Sequence, residues 1–133
     1  MNNLELFTKA KDKLIEAYRL IPKNSSLNKN KKNPMRILSK VESLIIESKS
    51  LYEKVMKSGY DCKNMVDKCD EFLKDVGKYY SWLSSYYRQL ADRYMYENSL
   101  LNKIYLKKSQ KCFKNYKRLT EGDPVMERVR RRL

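Results

Sequence analysis

An unbroken alternation of four- and three-residue steps between apolar side chains constrains the fold more than any other feature of the chain. The positions involved are Cys62, Val66, Cys69, Leu73, Val76, Tyr80, Leu83, Tyr87, Leu90 and Tyr94. Apolar residues that recur every ~3.5 residues indicate one face of an α-helix that packs as in a left-handed coiled coil. The pattern therefore predicts one long heptad-patterned helix over about 61–97.

The composition favours helices in the rest of the chain as well. The 133 residues include only three glycines and three prolines, few for a fold that needs many turns. The length suits one domain with its own hydrophobic core. We therefore predict an all-α fold, in which residues 1–133 form a single antiparallel bundle of four to five helices around the long helix.

A first helix is predicted over 3–21, where apolar residues again recur at steps of three and four and Pro22 ends the pattern. Its predicted inner face comprises Leu4, Phe7, Ala10, Leu14, Ala17, Tyr18 and Ile21. Residues 22–33 are basic and polar without periodicity, so we expect a loop there.

A second helix is predicted from Pro34 to about Ser58. Asn33 is a suitable N-cap, and Gly59 stands where a glycine commonly ends a helix. Asp61 then caps the long helix, so the two helices should form a tight antiparallel hairpin. The predicted seam of the second helix comprises Leu38, Val41, Ile45, Ser48, Tyr52 and Val55.

The chain after the long helix admits two interpretations. Residues 97–99 read as a break with Asn98 as the next cap, and continuation as one longer rod is the alternative. A further helix is expected over 99–120, followed by a short basic C-terminal helix or tail over 121–133. Gly77 permits a kink within the long helix, although the apolar pattern passes through it unbroken.

The positive charge is concentrated near the C-terminus. The formal net charge is +14, and residues 99–133 hold eleven Lys/Arg against three acids, whereas residues 61–98 have a net charge of −1. Helical spacing places Lys103, Lys107, Lys111, Lys114 and Arg118, hereafter the cationic row, on one face, with Lys117 alongside. Neighbouring like charges repel, which favours a polyanionic partner that neutralises them. The alternative is a solvated face in a lysine-rich proteome.

Two further basic patches support the same interpretation. One comprises the loop residues Lys29, Lys31 and Lys32, and the other comprises Arg128, Arg130, Arg131 and Arg132. The planar guanidinium of arginine suits phosphate. We therefore expect a non-enzymatic protein that binds nucleic acid without sequence specificity, for example as an accessory subunit of a nucleoprotein complex. The sequence leaves open DNA or RNA, and single or double strand.

The aromatic run KYYSWLSSYY, residues 78–87, suggests a second function. The helical register assigns Tyr80 and Tyr87 to the core. Tyr79, Trp82 and Tyr86, hereafter the aromatic stripe, fit either the core or an exposed surface. An exposed stripe would suit either the stacking of nucleic-acid bases or a partner protein, including a second copy of the chain. The alternative hypothesis is therefore a protein-interaction bundle.

The residue types that most enzymes need are scarce. The chain has no histidine, its three cysteines lack the spacing of a zinc site, and its glycines are too few for a phosphate-binding loop. We therefore expect no catalytic residues, metal, cofactor or small-molecule substrate. The odd cysteine count and the lack of a signal-like N-terminus predict a reducing, cytoplasmic location. Acidic membrane binding through the C-terminal arginines is a third possibility that we do not favour.

Overall fold

The computed structural model describes residues 2–21 and 33–120. All regular structure in these two ranges is α-helical, with packing contacts consistent with a bundle, which confirms the predicted all-α class. A bundle of four to five helices built around the long helix stays a prediction. The helices are α1 (Asn3–Leu20), α2 (Pro34–Lys57), α3 (Lys63–Arg93) and α4 (Ser99–Thr120). The predicted C-terminal helix or tail and nearly all of the predicted basic loop lie outside the described residues.

The chain divides into two compact units, Met1–Leu73 and Lys74–Leu133. The first unit contains α1, α2 and the start of α3, and the second contains the rest of α3 with α4. That the whole chain is a single domain stays a prediction.

Helix α2 follows its predicted boundaries closely. All six residues of its predicted seam are buried. At its start, the Asn33 side chain accepts a hydrogen bond from the backbone N–H of Met35, 3.1 Å away. At its end, Gly59 has a φ of 97°, in the left-handed region that glycine adopts without strain. Asp61 then accepts a 3.1 Å hydrogen bond from the backbone N–H of Lys63 at the start of α3.

Small residues bring α1 and α2 together in the first unit. Ala10 and Ala17 are fully buried, and the Ser48 hydroxyl donates a 2.7 Å hydrogen bond to the backbone carbonyl of Ala10. Leu4 is 75% exposed and Tyr18 is 54% exposed, so their assignment to the inner face of α1 was wrong. Periodicity shows which side of a helix is apolar but not which residues of that side a neighbouring helix covers.

The predicted hairpin between α2 and α3 is present in the first unit. The Cys62 thiol donates to the backbone carbonyl of Tyr52 at 3.1 Å. Further along the antiparallel pair, the Lys49 ammonium lies 2.7 Å from the Asp70 carboxylate. The Cys62–Tyr52 contact lies near the turn, and the Lys49–Asp70 contact lies more than four residues from the turn on each helix. Together they indicate that α2 and α3 stay adjacent over this length.

In the second unit, α3 and α4 are antiparallel and closely packed. The Ser84 hydroxyl donates to the Ser109 carbonyl at 2.9 Å, and the Ser109 hydroxyl donates to the Ser84 carbonyl at 2.8 Å. Helix α3 runs unbroken through Gly77, where an added Cβ would lie 2.8 Å from the Thr120 side chain. Gly77 therefore permits close helix approach rather than a kink.

A turn separates α3 from α4, so the interpretation as one longer rod was wrong. Helix α3 ends at Arg93, and the Asn98 side chain accepts a 3.1 Å hydrogen bond from the backbone N–H of Leu101 in α4. Six of the ten residues that alternate along α3 are buried: Cys62, Cys69, Val76, Tyr80, Leu83 and Tyr87. That α3 packs as a heptad coiled coil stays a prediction. Among the described helices, none combines the length and apolar content that crossing a bilayer requires.

Candidate nucleic-acid interface

The cationic row lies on the solvent side of α4. Ser109 and Cys112 are the buried residues of this helix and mark its inner side. At ~3.6 residues per turn, the row lies about half a turn away from them. All five members of the row are exposed, as their spacing predicted, while the neighbouring Lys117 is half-buried.

Among the described residues, the lysines of the row have no acidic side chain as a close neighbour. Within residues 2–21 and 33–120, no carboxylate lies within 4.0 Å of the ammonium groups of its four lysines. Helix α4 contains no Asp or Glu that would offset them. By contrast, Lys13 lies 2.7 Å from the Glu47 carboxylate in the first unit. The cationic row is therefore a local excess of positive charge and differs from the mixed-charge surface of the first unit.

Two lysines beside the row contact aromatic rings. The Lys117 ammonium lies 4.7 Å from the centre of the Phe113 ring. The Lys108 ammonium lies 5.5 Å from the ring centre of Tyr87 and 5.8 Å from that of Tyr105. These distances allow cation–π attraction. Lys108 is not among the site residues predicted from the sequence. Its three-residue spacing from Tyr105 is a local signal for that contact, but no local pattern predicts Tyr87 as a partner.

The aromatic stripe is only partly covered. Tyr79 and Tyr86 are half-buried, whereas Trp82 is 38% exposed, and the Trp82 and Tyr86 rings are nearly parallel with centres 5.7 Å apart. Tyr80 and Tyr87 are buried, which confirms their assignment to the core.

The structure does not combine the aromatic stripe with the cationic row. Ser84 marks the side of α3 that faces α4, and Trp82 lies roughly half a turn around α3 from it. The row is on the outer side of α4. The two sets of residues therefore belong to opposite sides of the α3–α4 pair and cannot jointly bind one small ligand.

The other basic patches predicted from the sequence lie outside the described residues. These are the loop lysines Lys29, Lys31 and Lys32 and the arginines Arg128, Arg130, Arg131 and Arg132. The cationic row is consequently the part of the predicted interface whose geometry is known.

The cysteines have the character of core residues. All three are buried free thiols, and burial raises the pKa of Cys62, Cys69 and Cys112, the last to about 11. A raised pKa keeps a thiol protonated and unreactive at neutral pH. Across the described ranges, His, Cys, Asp and Glu side chains form no group of three that could hold a metal ion.

Comparison with known proteins offers no precedent for this site. No protein-family model matches the chain, and neither a curated protein nor a solved structure matches it. The function is therefore inferred from the geometry and charge of the cationic row.

Proposed function

We propose that this protein is a non-enzymatic nucleic-acid-binding protein that holds the phosphate backbone along the cationic row. The observation that supports this most is the row itself: five exposed cationic side chains on one side of α4, four of them lysines with no carboxylate within 4.0 Å among the described residues. A polyanion relieves the repulsion between them and releases its condensed counterions.

The dimensions of the row suit a linear polymer. From Lys103 to Arg118 the helix rises about 22 Å at ~1.5 Å per residue. A stacked strand advances ~3.4 Å per nucleotide, so the row spans roughly six or seven phosphates. Lysine ammonium groups contact phosphate without reading base edges, hence binding is independent of sequence. The loop lysines and C-terminal arginines are proposed as additional phosphate contacts, as expected of an accessory subunit in a nucleoprotein complex.

Binding is expected to be strongly salt-dependent. Five phosphate contacts imply that log K falls with log salt at a slope of about −4.5 on duplex DNA and about −3.5 on a single strand, and contacts from the other patches make the slope steeper. Between 50 and 200 mM salt the affinity should then decrease roughly 500-fold for the duplex and about 130-fold for the single strand. Fluorescence anisotropy of labelled DNA and RNA oligonucleotides, titrated at several salt concentrations, measures this slope. An affinity that stays constant across this salt range contradicts the proposal.

The exposed Trp82 supports a second candidate function, a protein-interaction surface on the aromatic stripe. Trp and Tyr are the residues that contribute most often to binding hot spots. If the stripe mediates homodimerisation, light scattering after size exclusion gives a dimer mass, and Trp82→Ala converts the protein to monomer. Lys78→Ala, which changes an exposed neighbour on the same helix, serves as the control. A monomer at all concentrations, with no shift in Trp82 fluorescence, argues against self-association through this stripe.

A further inference from the structure

The turn between α3 and α4 is well defined by hydrogen bonds. The backbone N–H of Tyr94 lies 3.2 Å from the carbonyl of Leu90, and that of Asn98 lies 3.1 Å from the carbonyl of Tyr94. The Asn102 side chain donates a 2.7 Å hydrogen bond to the Ala91 carbonyl near the end of α3. The backbone of this turn is therefore held in a fixed position relative to α4.

This ordered turn presents apolar side chains to solvent. Tyr96 is 94% exposed, Leu100 is 67% exposed and Met95 is 50% exposed; we call these three residues the tip. Single exposed apolar residues are ordinary, but several together at one end of a helix mark a binding surface.

The tip continues the cationic row. Leu100, Lys107 and Lys114 are seven residues apart, which places them almost in line along the outer side of α4. A polymer that follows the row towards the start of α4 therefore reaches the tip.

Building on the phosphate-binding role of α4, we propose that the preferred ligand is single-stranded nucleic acid, with an unpaired base stacked on Tyr96. Every base has a planar face that stacks on a tyrosine ring, at about 1–3 kcal/mol per base. In a duplex those faces are covered by neighbouring bases, so the tip adds binding energy only where the strand is unpaired.

An anionic membrane is the other ligand that a tip of this composition could contact. Interfacial helices carry apolar residues along their whole length beside the cations. On α4 the outer side beyond Ile104 carries Lys107, Lys111, Lys114 and Arg118, and the row leads away from the tip. The exposed Phe113 lies about a third of a turn from the middle of the row and is the one large apolar side chain exposed beyond Ile104 in the described part of α4. If the tip entered a bilayer, the far cations would be drawn away from the headgroups. A linear polyanion reaches both the tip and the whole row.

The test compares single-stranded and blunt duplex oligonucleotides of equal length by anisotropy, using Tyr96→Ala and a matched control. We expect Tyr96→Ala to weaken single-strand binding by roughly 5- to 150-fold, the equivalent of losing one stacked base. Its salt slope and its duplex affinity should not change. Tyr60→Ala removes a tyrosine of the first unit that is 61% exposed and should have no effect. Tyr96→Trp should retain affinity, and its added fluorescence should be quenched by the single strand.

The outcomes separate this inference from the proposed function. If charge reversal in the row abolishes binding but Tyr96→Ala changes neither probe, or both equally, the stacking role is wrong and phosphate binding stands. If neither oligonucleotide binds in a salt-dependent manner, the proposed function itself fails. Vesicles containing phosphatidylserine form a third arm. Vesicle binding that depends on Tyr96, while oligonucleotide binding does not, overturns the single-strand assignment in favour of a membrane.

Discussion

Replacement of Lys107 and Lys111 by glutamate is expected to weaken nucleic-acid binding by at least about 100-fold at 0.1 M salt. One duplex phosphate contact changes log K by ~0.9 per tenfold change in salt. Salt at 0.1 M is one tenfold step below the 1 M reference, so each lost contact weakens binding by nearly a factor of ten. The introduced carboxylates also repel the backbone. The salt slope should become less negative by about two, because two contacts are removed. Both side chains are exposed, so the thermal midpoint should change little.

The matched control is Lys11→Glu combined with Lys40→Glu. These two lysines are also exposed but lie on α1 and α2, so this variant has the same net charge as the first. It should bind nearly as well as the unmodified protein. Equal losses in both variants would show that binding depends on total charge rather than on the cationic row.

Truncation of Tyr52 to alanine is expected to reduce the free energy of unfolding by about 3–5 kcal/mol. Tyr52 is fully buried, and its ring meets that of Phe7 edge-on with centres 5.4 Å apart. Truncation leaves a cavity where α1, α2 and the start of α3 pack. A loss of this size is a large fraction of the ~5–15 kcal/mol typical of small domains. Urea denaturation followed by circular dichroism measures it.

Tyr52→Phe should have the opposite effect and stabilise the protein by about 1 kcal/mol. The Tyr52 hydroxyl is buried and has no hydrogen-bond partner among the described residues. Removal of an unsatisfied polar atom relieves its desolvation penalty while the ring contacts remain. A clear loss of stability in this variant would show that the hydroxyl is satisfied in solution.

The unmodified protein and the Tyr52→Phe variant should also differ in how their stability changes at alkaline pH. Burial, with smaller effects from Cys69 and Cys62, raises the pKa of Tyr52 from 10.0 to about 12. The phenol then holds its proton more tightly in the folded than in the unfolded chain, so this group costs stability as pH rises from about 10 to about 12. Tyr52→Phe lacks this group, and its advantage in stability should widen over that range.

Features encoded by local spacing were predictable from the sequence. The α2 seam, its Asn33 cap, the glycine at its end and the break at Asn98 all follow from side-chain periodicity and backbone preference. The exposure of the cationic row follows from the same periodicity, because its residues lie opposite the apolar face of α4.

Features that depend on contacts between helices were not predictable in this way. The role of Gly77 is set by Thr120 on another helix, and the Ser84–Ser109 pair joins residues far apart in sequence. Leu4 fits the periodicity of α1 but is exposed. The exposed Tyr96 gave no periodic signal, since turn residues follow none.

The reciprocal hydrogen bonds between Ser84 and Ser109 have a consequence for the length of nucleic acid that the protein binds. They fix the axial register of the two helices, so the fold sets the position of the turn relative to the backbone of α4 that carries the cationic row. A nucleic-acid strand that lies along α4 therefore contacts Tyr96 first and then each member of the cationic row in a fixed order. A strand too short to reach the whole cationic row leaves some cations without a phosphate. Affinity should therefore rise with each added nucleotide until the strand extends to the last member of the row.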